Sequence, residues 1–224
     1  MRVAGLALWI VVVIGGMGER AGAAPPPRPV DPRLILERIA AEPEIVTPTG
    51  IAVDARGRLL AIESHTHFPP RDYRGPRADR IRMFQDRDGD GRPEPTGLFF
   101  EGTKWTMNLG VARDGAVFVA TRAAIYRVED RNADGRADGS EGGRVPEPIV
   151  RLDTAGDYPH NGLSGFAFDE DGIVYFGLGE NLGVDYRLIG RDAFKDKARV
   201  DRPGRWCAPC SLAQAADNDH DPKC

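Results

Sequence analysis

The sequence predicts an all-β protein, a partial β-propeller of about two and a half four-stranded blades behind an N-terminal signal segment and a short helix. Three observations predict it. A motif of apolar strand, Asp/Gly turn and second apolar strand occurs three times. Its turn glycines, Gly57, Gly115 and Gly172, stand 58 and 57 residues apart. Each interval has room for four short strands, the layout of a propeller blade. A β-sandwich with similar turns is the alternative, but a sandwich needs no even period.

Composition sets the outer bounds. With 41% hydrophobic and 29% charged residues, the 224-residue chain has an ordinary globular make-up and can bury a core. A net charge of −4 argues against a dominant phosphate-binding surface, so no nucleic-acid partner is expected. Only four of the 30 basic residues are Lys, and three of these fall in the last 30 positions, where the pattern of the chain changes.

Taken in order, Arg2, the apolar run from Val3 to Ile14 and the small residues Ala21-Gly22-Ala23 read as a signal peptide over residues 1–24. The run is shorter than the roughly 20 residues of a spanning helix. Export to the periplasm or beyond is therefore expected, with membrane association only through an uncleaved signal segment. Residues 25–44 form a linker and short helix: Pro25 to Pro29 are stiff, Asp31-Pro32 has the form of an N-cap and first turn, and Leu34, Ile35 and Ile39 supply an apolar stripe ending near Ala41.

Residues 45–190 hold the blades. In each unit a first strand, an Asp/Gly turn and a second strand (Leu59 to Ile62, Val117 to Ala120, Val174 to Gly177) lead to a third (Arg80 to Gln85, Ala124 to Val128) and a fourth (Gly97 to Phe100, Glu147 to Leu152). Two units are complete and a third is half present. Closed propellers have roughly four to eight blades, so the chain reads as a fragment. Residues 191–224 lack a periodic apolar face and are expected to be a disordered or out-of-frame tail. All three cysteines lie there. Cys207-Ala-Pro-Cys210 has redox-motif spacing, but Ser211 stands where covalent haem attachment needs His, and no βαβ pattern surrounds it.

Two Asp-rich loops carry a calcium signature. Asp130, Asn132 and Asp134 alternate before Gly135, with Asp138 and Glu141 completing a twelve-residue loop of oxygen ligands. Asp86, Asp88 and Asp90 repeat its first half, but Gly97 holds the twelfth position and Glu94 is the remaining carboxylate. Both follow strands, so an EF-hand is not implied and any Ca2+ would be structural; an Asp/Gly hairpin that binds nothing is the alternative.

Loops leaving a blade alternate between its ends. The two Asp-rich loops share one end, while Ser64 to Asp79, Lys104, Trp105, Arg122, Tyr158 to Asn161, Glu180 and Asn181 collect at the other. The first unit carries about 14 extra residues there, including His65 and His67, whose i, i+2 spacing suits a metal or a proton but lacks a clear third ligand. His160, followed by Asn161-Gly162 ahead of a first strand, is the better candidate for chemistry; a simple turn role is the alternative.

Pro48 to Asp54, Glu63 to Phe68, Asp79 to Arg82 leading to Asp86 to Gly91, and His160 to Leu163 leading to Gly177 to Asn181 together resemble the glucose/sorbosone dehydrogenase-like β-propellers. The closest likeness is to the large exported dehydrogenase-like proteins of planctomycete-type bacteria, over about residues 45–190. The resemblance implies a quinone-dependent sugar or alcohol dehydrogenase. In it His160 would be the general base, Glu180 would stand near the acidic position, and pyrroloquinoline quinone (PQQ) with calcium would be the cofactor set. Asn161, Asn181, Lys104, Trp105, Arg122, His65 and His67 would line the cofactor or substrate mouth. The later blades and a haem motif are missing, so catalysis by this chain alone is not expected. A non-catalytic, calcium-stabilised propeller binding a ligand or protein partner is the rival.

Overall fold

The three Asp/Gly turns close hairpins of one kind. The computed structural model describes residues 28–156, 162–179 and 184–190, and in them finds eleven β-strands, one 3-10 turn and no α-helix. Asp54 N–H donates to Arg58 O, Ala112 N–H to Ala116 O and Asp169 N–H to Ile173 O; Gly57, Gly115 and Gly172 donate back to residues 54, 112 and 169. Each turn glycine has a positive φ, from 75° to 86°, as a three-residue hairpin loop with a glycine bulge requires. In two copies the Asp also caps its turn: Asp54 Oδ1 accepts from Arg56 and Arg58 N–H, and Asp169 Oδ1 from Asp171 and Ile173 N–H. The middle copy has Ala112 at that position, and Asp114 takes over by accepting from Ala116 N–H.

The strands form antiparallel sheets. β1 (Pro48–Val53), β2 (Leu59–Glu63), β3 (Arg80–Gln85) and β4 (Glu94–Glu101) make a four-stranded meander in sequence order. β5 (Thr106–Val111), β6 (Val117–Thr121), β7 (Ala124–Val128) and β8 (Val150–Thr154) make a second. β9 (Leu163–Phe168) and β10 (Val174–Leu178) pair as a two-stranded sheet. β11 (Tyr186–Gly190) adds to the outside of β8, so the second sheet gains a fifth strand from the third unit, which the sequence pattern did not indicate. β8 begins three residues later than expected, because Pro146 and Pro148 have no N–H to give to a ladder.

The core lies between the sheets. β6 is buried along its whole length, and its side chains alternate. Val117 and Val119 pack with Leu60, Ile62, Ile81, Met83, Phe99 and Phe100 of the first sheet. Phe118 and Ala120 face Leu163, Val174, Phe166 and Phe168 of the third. A strand covered on both faces needs a continuous apolar run, which Val-Phe-Val-Ala supplies. The first strands of successive units lie side by side: a Cβ on Gly50 of β1 would meet the Asn108 Cα of β5 at 3.4 Å, and one on Gly110 of β5 would meet the Phe166 Cβ of β9 at 2.8 Å. Small residues there permit the close approach.

The short helix expected before β1 does not form. The chain divides into a unit of residues 1–38 and a unit of residues 39–224, with every strand in the second. In residues 28–38, Asp31 accepts the Arg33 N–H at 2.9 Å and pairs with its guanidinium, and Leu34 N–H donates to Asp31 O. That single turn is not propagated. Leu34, Ile35 and Leu36 are exposed, and without an apolar stripe buried against another surface so short a helix does not repay its nucleation. The signal segment and the residues 191–224 lie outside the described residues.

Candidate functional site: the loop cluster around Asp79

Asp79, just before β3, is 1% exposed, and its carboxylate ties two loops together. Oδ1 accepts the N–H of His65 at 2.7 Å and of Thr66 at 2.9 Å. Oδ2 accepts the N–H of Thr106 at 2.8 Å, and the Thr66 hydroxyl donates to the same carboxylate. That hydroxyl oxygen in turn accepts the Trp105 N–H at 2.7 Å. Four donors on one buried carboxylate offset its desolvation and fix the loops after β2 and β4 against each other.

Trp105 is held in a left-handed backbone conformation, φ 51°, and the residue is 45% exposed. A non-glycine residue persists there only where its surroundings over-determine it. The Thr66 bond and a second from Arg122 N–H to Trp105 O provide that restraint. The Arg122 guanidinium lies 5.3 Å from the Trp105 ring centroid, in cation–π range. Leu163 N–H donates to Arg122 O, and Gly179 N–H donates to Gly162 O. A Cβ on Gly162 would fall 2.5 Å from Arg122 Cα, so only glycine fits there. The chain just after Asn161 and just before Glu180 therefore abuts Arg122. His160, Asn161, Glu180 and Asn181 themselves lie outside the described residues.

The paired histidines separate. His65 is buried; its Nδ1 meets the Tyr73 hydroxyl, and its Nε2 stands 3.1 Å from Glu63 Oε2, off the line of a hydrogen bond. His67 lies edge-on to Phe68, ring centroids 4.8 Å apart. Lys104 is exposed beside Trp105.

The two Asp-rich loops differ. Asp86, Asp88, Asp90 and Glu94 each bring one carboxylate oxygen to within 4.8 Å of the others, the one such acidic group among the described residues. That gathering fits a hard divalent cation. In the second loop Asp130 is drawn inward, its side chain 4% exposed. Its Oδ2 accepts from the Arg58 guanidinium at 2.9 Å, while Arg58 also donates to Asp54 at 2.7 Å. Burial pulls the Arg58 pKa down, but the bonds and charges of Asp54 and Asp130 outweigh it, and the net shift is upward. Asp130 Oδ1 is buried without a partner, and Asn132, Asp134, Asp138 and Glu141 line a pocket of about 90 Å³ next to Glu101. Asp130 does not line that pocket, and the carboxylates of the second loop do not gather as those of the first do, so the loop with the fuller sequence motif has the poorer cation geometry.

Sequence reasoning singled out Trp105 and Arg122, quoted Thr66 and Asp79 only as members of the resembling segments, and gave no role to Tyr73 or Arg58. A lone acid flanking a strand gives no sign of its burial, and a phenol eight residues from its histidine follows no motif. Among known proteins, no curated protein matches the chain, whereas the family described as Domain of unknown function (DUF7133) matches residues 29–202. Because that match covers more than half of the chain, from before β1 to beyond β11, the protein belongs to the DUF7133 family.

Proposed function

We propose that the chain is part of a propeller-type sugar or alcohol dehydrogenase whose ligand sits at the loop end of the sheets, against Trp105 and Arg122. The observation that carries this reading is the convergence on Arg122: an exposed, conformationally fixed Trp ring below its guanidinium, and Gly162, two residues from His160, against its backbone. An aromatic face beside a cation suits a polyhydroxylated ring or a planar anionic cofactor. The side-by-side order of β1, β5 and β9 and the two sequential meanders support the propeller arrangement.

By resemblance, His160 takes the proton of a substrate hydroxyl, with Glu180 as its acidic neighbour. The donor types around Arg122 fit PQQ: Trp105 would stack on its rings, and Arg122 and Lys104 would hold its carboxylates. When bound, the quinone supplies the hydride acceptor. Calcium in either Asp-rich loop would brace the opposite end, away from the chemistry. Export through residues 1–24 would place the protein in the periplasm or outside the cell.

The gathered carboxylates of Asp86, Asp88, Asp90 and Glu94 favour a second reading, a non-catalytic calcium-braced module that binds a ligand or a protein at the same mouth. Dye reduction with PQQ and a panel of aldoses and alcohols separates the two. The dehydrogenase reading expects no turnover from this chain alone but turnover from a longer propeller that contains it, lost by about 10² to 10⁴ in His160→Ala, and quenching of Trp105 fluorescence by the substrate. Quenching with no turnover under any quinone or substrate leaves the binding module; neither signal overturns both.

A further inference from the structure

Beneath the Trp105 loop, three titratable side chains stand in line. Glu63 is the last residue of β2, and His65 follows it after one residue, so both leave the sheet edge on the same side. Both are buried. Glu63 Oε1 accepts the Val46 N–H at 3.1 Å, which fixes the carboxylate, and Oε2 stands 3.1 Å from His65 Nε2. The other imidazole nitrogen, Nδ1, meets the Tyr73 hydroxyl in a short contact, with the rings 6.1 Å apart and 29° from parallel. The backbone N–H of His65 is bound to Asp79, which fixes the point from which its buried ring projects. Carboxylate, imidazole and hydroxyl thus occur in the order that general-base relays use, with the carboxylate and the hydroxyl on opposite ring nitrogens.

Tyr73 is the outermost member, half-buried where the other two are enclosed. It sits in the extra segment of the first unit, which Thr66 joins to Trp105. A Cβ on Gly75 would lie 2.1 Å from the Tyr73 hydroxyl oxygen, so the bare Gly75 backbone makes the space in which the hydroxyl meets His65.

We infer that Glu63, His65 and Tyr73 form a proton relay, independent of His160, whose reacting atom is Tyr73 Oη and whose substrate is a hydroxyl group of the bound ligand. As Tyr73 gives its proton to His65 Nδ1, the ligand O–H bond breaks and its proton passes to Tyr73 Oη. The ligand oxygen keeps the electron pair. The imidazolium formed has Nε2 3.1 Å from Glu63 Oε2, off the line of a hydrogen bond but close enough for the carboxylate charge to stabilise it. Tyr73 is the catalytic residue, and His65 and Glu63 are positioning residues that act through it. The identity of the ligand rests on the reading above; the relay itself does not.

The relay is tested on the full chain without any ligand, by acetylation with N-acetylimidazole mapped residue by residue. The Tyr73 oxygen attacks the acetyl carbon as its proton goes to His65, and the acetyl C–N bond breaks with the leaving nitrogen taking a proton from solvent to give imidazole. Tyr126, Tyr175 and Tyr186 are half-buried as well and serve as internal references. Tyr73 is expected to react at least about tenfold faster than these. Glu63→Gln should remove most of that advantage with the fold intact, since one oxygen remains for Val46 N–H. Gly75→Ala, whose added methyl meets only the mobile end of the Tyr73 ring, should separate the hydroxyl from His65 with the same result. Tyr73 reacting no faster than the reference tyrosines, or keeping its advantage in both folded variants, would overturn the relay. A positive result beside a failed search for sugar or alcohol binding would retain the relay and discard the ligand class.

Discussion

Replacing Asp79 by Asn changes one atom and tests whether its buried carboxylate holds the loop cluster together. The carboxylate receives three backbone N–H groups and the Thr66 hydroxyl, at 2.7 to 3.0 Å. An amide can present its oxygen to His65 and Thr66 N–H or to Thr106 N–H, but not to both sides. In the first orientation its NH2 turns toward Thr106 N–H, a buried donor left facing a donor. The Thr66 hydroxyl can rotate to accept from the amide and still accept from Trp105. The loss is therefore one charge-assisted bond and one orphaned N–H, together about 3 to 5 kcal/mol. For a chain of this size that lowers Tm by roughly 10 °C. Urea unfolding followed by far-UV circular dichroism measures the stability, and tryptophan emission reports whether Trp105 leaves its restrained conformation. Asp79→Asn within about 0.5 kcal/mol of the wild type, with unchanged emission, would refute the argument.

Other outcomes follow from the opposite end. Arg58→Met strands Asp54 and Asp130 as buried carboxylates and should cost about 3 to 5 kcal/mol in urea unfolding; a loss under about 1 kcal/mol would mean that solvent reaches the site. Calcium at a hundredfold excess over its Kd should stabilise the protein by about 2.7 kcal/mol, with the shift reduced by Asp88→Asn combined with Asp90→Asn; a Tm indifferent to chelator would remove calcium from the account. Burial raises the Asp114 carboxyl, but Ala116 N–H and the Arg127 guanidinium outweigh it and hold the pKa below the usual value. A depressed acid stabilises the fold above its unfolded pKa of about 3.9 and ceases to do so as pH falls through the folded value. With the side chain 60% exposed, Asp114→Asn should cost under about 1 kcal/mol at neutral pH, and the gap should close in acid. A gap that persists at low pH would assign the effect to Asn itself.

How much of this was legible depends on the range of each interaction. The hairpin turns were readable because three residues and a glycine specify them locally, and Ala112 explains why the middle copy looked weaker. The strands of the first two units were readable because β6 and its equivalents bury both faces and show it as unbroken apolar runs. The failed helix at Leu34 to Ile39 had the local signals but no surface to bury its stripe, and sequence pattern does not report the partner. β11 escaped because its placement against β8 is a choice between sheets, made by long-range pairing of Tyr186 with Thr154 through Gly190 with Val150. In the site, Trp105 and Arg122 could be assigned to one end by counting loop alternation. The dependence of both on a buried Asp79 could not, since that carboxylate joins positions 65, 66, 79 and 106 only after the sheets have packed.

The two ends of the sheets bury acids for different reasons. At the turn end Asp54 and Asp130 share a guanidinium between two loops, an arrangement that apolar residues of similar volume often replace without loss of stability. It makes sense as a tie that sets the spacing of an Asp-rich loop. At the loop end Asp79 is bound by uncharged N–H and O–H donors, and Glu63 by one N–H, with an imidazole nitrogen 3.1 Å away but not aligned to donate. Burying a carboxylate on neutral donors alone is a costly way to fasten a loop, because each donor must be aimed at it and none carries compensating charge. Stability alone would favour a smaller, apolar junction. What the carboxylates add is negative charge close to His65, Thr66 and the Trp105 loop, in a region where backbone strain is already held at Trp105. That combination of buried carboxylates and an exposed aromatic residue in a strained backbone conformation is why the proposed site is placed at this end.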